Sequence, residues 1–255
     1  MKFVGFPKFA LLFALASVLT LTLAGCGAAV SNLALTQGNW AVTATSTAPK
    51  NVAGPTFVLG GNLTQNGNAL SGTLSIVGSG CITPQTIAFT GKVDGKNITL
   101  TSATFDGIVI TVKASGAKDS LTGTYTVTGG CPDQGTLTAG AVPSITGIWN
   151  GTIANGDTST GISVALTQAA TASQDGTFAL TGTLTYTGST CTAPATLVAS
   201  SIAGSDVTIS ADSGFLYPNV PLDSITNPKS MTGSYDNSSD PCAATDGSPV
   251  TLTKQ

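Results

Sequence analysis

The stretch Phe57-Val58-Leu59-Gly60-Gly61-Asn62-Leu63-Thr64-Gln65-Asn66-Gly67-Asn68-Ala69-Leu70-Ser71-Gly72-Thr73-Leu74-Ser75-Ile76 decides the fold class. Phe57, Leu59, Gly61 and Leu63 fall on one side of an extended chain, and Leu70, Gly72, Leu74 and Ile76 do so again. A period of two marks strands with one buried face. Asn66-Gly67-Asn68 between them offers the positive φ of a tight turn, so the stretch is predicted to be a β-hairpin.

The same pattern continues in both directions. Ile87, Phe89, Gly91 and Val93 share a face, as do Leu121, Gly123, Tyr125 and Val127, while Thr and Ser fill the other. Asp94-Gly95-Lys96-Asn97, Asp106-Gly107 and Asp175-Gly176 are further turn signals. The chain is therefore expected to be all-β and antiparallel. A Gly recurs on the apolar face, where a flat sheet would carry a larger side chain and where a sharply coiled strand needs none. That favours small up-and-down barrels, with a β-sandwich as the alternative.

Shifted by about 110 residues, the chain repeats itself. Gly38-Asn39-Trp40 returns as Gly147-Ile148-Trp149, and Leu63-Thr64-Gln65 as Leu166-Thr167-Gln168. Leu70-Ser71-Gly72-Thr73-Leu74 before Cys81 returns as Leu180-Thr181-Gly182-Thr183-Leu184 before Cys191. Leu121 to Tyr125 before Cys131 returns as Met231 to Tyr235 before Cys242. Two tandem meanders follow, residues 37–140 and 144–255, each of roughly eight strands, with small residues and Pro143 at the boundary.

Residues 1–25 read as an export signal: Lys2 and Lys8 precede an apolar run from Phe9 to Leu23. Leu23-Ala24-Gly25-Cys26 resembles the lipobox of bacterial lipoproteins. The resemblance implies cleavage before Cys26, acylation of its thiol and amine, and membrane anchoring through the N-terminal lipid. Gly27 in place of Asp favours the outer membrane in a cell that has two. Residues 26–36 are expected to form a short tether. Four cysteines remain, an even number in an exported chain, which reads as two disulfides. Their places in the repeat make Cys81–Cys131 and Cys191–Cys242 the economical pairing.

Gly-x-Trp at the head of each copy, followed by a meander, resembles the opening of calycin barrels, the lipocalin and avidin group. In that group the first-strand Trp packs across the closed end of the barrel. Avidins carry further tryptophans in their pocket, whereas this chain has only Trp40 and Trp149, so biotin binding is not implied.

Composition narrows the chemistry. The 255 residues include no His, no Glu and no Arg, so a Ser-His-Asp triad or a histidine metal site cannot be assembled. Seven lysines lie beyond the signal and are scattered, which removes the basic patch that nucleic acid requires. Asp236-Asn237-Ser238-Ser239-Asp240 lacks the spacing and closing Glu of a calcium loop and reads as a solvated loop. No catalytic residue, metal ligand or cofactor is assigned. Gly214-Phe215-Leu216-Tyr217-Pro218-Asn219-Val220-Pro221 breaks the alternation and is predicted to be a long loop, with Phe215 and Tyr217 as the residues most suited to contact a ligand or partner. The expected function is a non-enzymatic envelope lipoprotein that meets other envelope components. The alternative is a binder of a small apolar molecule inside a barrel.

Overall fold

The computed structural model describes residues 32–47, 57–77, 82–156, 158–187, 194–211, 214–219, 228–236 and 247–255, the side chains of 155 and 214–219 excepted. The chain divides into two units, Met1–Ser31 and Asn32–Gln255, and every element below belongs to the second. Each of these elements is a strand, and neighbouring strands pair antiparallel.

The first repeat comprises β1 (Gly38–Ser46), β2 (Phe57–Asn66), β3 (Ala69–Val77), β4 (Gln85–Asp94), β5 (Asn97–Ser102), β6 (Val109–Ala117), β7 (Ser120–Thr128) and β8 (Asp133–Ala141). They pair in sequence order, and β8 returns to β1 to close a barrel. The second comprises β9 (Gly147–Asn155), β10 (Thr158–Gln168), β11 (Phe178–Thr187), the two-residue β12 (Ala195–Thr196), β13 (Ser200–Ala203), β14 (Asp206–Ala211), β15 (Gly214–Asn219), β16 (Ser230–Asp236) and β17 (Ser248–Lys254). Its sheet runs β10-β9-β17-β16-β15-β14-β13-β11-β12, and β10 also pairs with β11, so the strands encircle their core.

The predicted alternation holds: Phe57, Leu59, Leu63, Leu70, Leu74, Ile76, Ile87, Phe89, Val93, Leu121, Tyr125 and Val127 are all buried in the first core. The turns hold too. Gly67, Gly95 and Gly204 open two-residue loops at φ near +60° (59°, 61° and 60°), and the residues after them do not have positive φ, which defines type II′ turns. Asp106 and Gly107 both have positive φ, the type I′ signature, between Phe105 and Ile108.

One expectation is corrected. Gly214–Asn219, predicted as a loop, is strand β15, whose backbone pairs with β14 and β16. The ladder to β14 joins Asp206 to Asn219 and resumes at Ile209–Leu216. The interruption covers Pro218, which has no N–H to give. Strand partners on both sides outweigh the proline and the missing alternation.

The two repeats pack directly on one another. Asn39, on the outer face of β1, donates from Nδ2 to the carbonyl of Gly204 at 2.9 Å and accepts the Gly204 N–H on Oδ1 at 2.6 Å. Both bonds are buried. Ala41 on the same face joins the second core. The β13–β14 turn seats so closely on β2 that a Cβ added at Gly60 would lie 2.3 Å from the carbonyl oxygen of Ala203. Asp206, at the foot of this turn, has its carboxyl pKa raised by burial.

A methyl at residue 60 therefore tests the joint. Gly60→Ala needs no special φ, so its cost comes from the clash with the second repeat; urea unfolding is expected to show a loss of about 1–3 kcal/mol. Calorimetry is expected to give one transition for the parent and two for the variant. An unchanged single transition would show that the repeats do not depend on this contact.

Candidate functional site

A barrel offers an interior and two ends as places for chemistry. Trp40 stands at the start of β1 and donates its indole N–H to the carbonyl of Thr36 at 2.8 Å. Trp149 at the start of β9 does the same to Ile145 at 2.8 Å. Both rings are almost wholly buried, and the residues just upstream cover the same end of their barrels. Gly38 and Gly147, two residues before each Trp, have φ of 115° and 144°. Such values are cheap only for glycine, which explains Gly-x-Trp as a unit.

Upstream of Trp40 the chain is tied down. The Asn32 amide donates to Asn68 Oδ1 at 2.6 Å and accepts the Gly95 N–H at 2.6 Å. The N–H of Leu33 reaches the Gly95 carbonyl at 2.8 Å, and that of Leu35 reaches Gln65 Oε1 at 2.8 Å. Thr36 bonds the Lys118 carbonyl through its N–H and Asp119 through its hydroxyl. Of the expected tether 26–36, residues 32–36 are thus docked across the β2–β3, β4–β5 and β6–β7 turns, with Leu35 buried beneath.

The opposite end is covered by Ile82, Ile108 and Cys131, all buried, and by Phe105. Cys131 is disulfide-bonded, with its partner outside the described residues. Beside it, Tyr125 donates its hydroxyl to Asp133 Oδ2 at 2.6 Å while Ser46 donates to Oδ1 at 2.7 Å. The Tyr125 ring meets Phe57 edge to face at 5.0 Å and 74°. Burial first, then the bond and charge of Asp133, push the tyrosine hydroxyl well above its ordinary pKa.

Between these ends the first barrel is nearly full. The void at its centre measures about 30 Å³ and is bounded by apolar side chains, among them Trp40, Leu59, Phe89, Leu100, Val112 and Leu137. That is on the order of one water molecule, and a space without polar groups stays dry. Asn97, Thr99, Lys113, Ser115, Thr122 and Thr124, with Ile98 and Ala114, border a shallow groove of about 340 Å³.

Cys26, Cys81, Cys191 and Cys242 lie outside the described residues, as does Asn237 to Asp246 of the acidic segment. Phe215 and Tyr217 lie in β15, with their backbones committed to the sheet. Among the described residues no three His, Cys, Asp or Glu side chains are grouped to hold a metal ion. The clamp of Asn39 and the Tyr125–Asp133 pair escaped the sequence reading. The repeat did carry one clue, since Tyr125 and Tyr235 recur at matching places. No protein-family model and no curated protein matches this chain.

Two outcomes follow from this geometry. Val112→Ile, one methylene toward the void, is expected to change stability by less than about 1 kcal/mol, whereas Val112→Phe overfills it and costs about 1–3 kcal/mol; chemical denaturation reads both. Tyr125→Phe removes a charge-assisted bond and is expected to cost about 1.5–3 kcal/mol near neutral pH. Because the folded Tyr125 holds its proton more tightly than the unfolded chain, its contribution is full below the ordinary tyrosine pKa and falls as pH rises above it. The parent's alkaline decline in stability should therefore be shallower in the variant.

Proposed function

We propose that this chain is an envelope lipoprotein, anchored through acylated Cys26, whose two β-barrels form a non-catalytic structural or interaction module. The observation that carries the non-binding part is the filled first barrel: both ends are covered and the residual void is about 30 Å³. Ligand pockets commonly run to about 300 Å³ or more, so an apolar guest would have to displace core side chains. The Leu23-Ala24-Gly25-Cys26 stretch supports anchoring, since two acyl groups on one residue supply the two attachments that stable membrane residence needs.

Disulfides Cys81–Cys131 and Cys191–Cys242 belong to the same reading. The bonded, buried Cys131 supports the first. Each would close a loop of about 50 residues and add up to about 4 kcal/mol by restricting the unfolded chain. The calycin resemblance is consistent with the paired, buried tryptophans and implies kinship of architecture, with no ligand attached to it.

The test is the intact mass of the chain recovered from its own cells. A mature chain beginning at Cys26, carrying acyl groups and short of the hydrogens of two disulfides, is expected in the membrane fraction. Cys26→Ala is expected to abolish acylation and to leave the precursor uncleaved at this position. A mature chain without lipid would overturn the anchor, and free thiols at Cys81 and Cys131 would overturn the pairing.

A further inference from the structure

Lipidation at Cys26 would fix one end of a short strand of chain, and the structure fixes the other. Asn32 is held by two side-chain bonds, to Asn68 in the β2–β3 turn and Gly95 in the β4–β5 turn, and the Leu33 N–H adds a third to Gly95. From Cys26 to Asn32 is six residues, which fully extended span at most about 21 Å. Of the two barrel ends, only the one carrying the β2–β3, β4–β5 and β6–β7 turns lies at Asn32. The other, where Asp106 and Asp133 sit, is roughly 25 Å farther along strands of nine or ten residues once their tilt is allowed for.

The charges are arranged to match. Lys92, Lys96 and Lys118, all exposed, lie at or near the docked end with Asp94 and Asp119, three cations to two anions. Asp119 is already engaged by the Thr36 hydroxyl. At the opposite end the described residues offer Asp106 and Asp133 and no lysine. The first barrel thus turns its less acidic end toward the anchor. Lysines held within a Debye length of an anionic surface, about 8 Å at physiological salt, are attracted to it.

We propose that the docked end of the first barrel is a membrane-facing surface, with Lys96 and Lys118 set against anionic lipid headgroups and the Asp106 end pointing away from the bilayer. This rests on the lipoprotein reading and adds an orientation to it. A free lipoprotein tether would let the barrels tumble; a chain docked from Asn32 onward presents one end only.

The experiment is chemical footprinting of the anchored chain on vesicles of phosphatidylethanolamine and phosphatidylglycerol, with the same chain lacking its lipid as reference. Water-soluble acylation of lysines and amidation of carboxylates are read by mass spectrometry. Lys96, Lys118 and Asp94 are expected to react roughly threefold or more slowly on the anionic vesicles. Asp106, an exposed turn aspartate at the other end, is expected to be unchanged. Replacing phosphatidylglycerol by phosphatidylcholine, or making Lys96→Glu with Lys118→Glu, should weaken the lysine-end protection while leaving the chain on the vesicle. Equal reactivity at both ends, or protection of Asp106 alone, would overturn the proposal. Intact mass reports acylation of Cys26 separately. Should that residue carry no lipid, coupling its thiol to a maleimide lipid supplies the anchor, and the footprint still decides which end faces the membrane.

Discussion

Closure of these barrels depends on backbone approaching backbone at inward glycines. At Gly91 an added Cβ would lie 1.9 Å from the Thr99 carbonyl oxygen, and at Gly123 it would lie 2.1 Å from that of Lys113. No side chain fits there. Each position faces the core and adjoins the next strand, so the sheet bends where a Cβ would have held it open. Eight strands closed this tightly leave an interior that Leu, Ile, Val and Phe side chains fill together with Trp40 and Tyr125. The filled interior of the first barrel descends from that radius of curvature.

With the inside of the first barrel spent on packing, its distinctive polar contacts lie on the outside and at the ends. Asn39 is the clearest case. Its amide replaces water for both the N–H and the C=O of Gly204, so a tight turn is buried between repeats without orphaned backbone groups. Around it, Gly60 and Gly204 remove the side chains that would hold the surfaces apart. Docking by complementary backbone is stiff, because it has no long side chains to rearrange. The two copies are thus packed on one another rather than strung as beads.

A related economy operates at the N-terminal side of each repeat. The indole of Trp40 ties back to Thr36 and that of Trp149 to Ile145, so one device closes both barrels and anchors the chain that enters them. In the first repeat that entering chain is also the route to Cys26. Docking Asn32 to Thr36 onto three hairpin turns fixes where the chain enters, at a single end of the barrel.

Much of the architecture is local and was therefore legible. Alternation between apolar residues and Thr or Ser and Gly at the first place of two-residue turns depend on neighbours within a few residues, and the duplication with its paired Gly-x-Trp needs only the chain laid against itself, so all can be read from the sequence alone. The long-range contacts could not. Asn39 and Gly204 are 165 residues apart, and an Asn on the outer face of a strand looks solvent-exposed until another domain covers it. The stretch Gly214–Asn219 resisted reading because its order comes from β14 and β16 on either side, against its own proline. The volume inside the barrel was also beyond the sequence. Inward glycines are compatible with either an open cavity or a tight radius, and only the packed structure decides that the radius shrinks until about 30 Å³ is left.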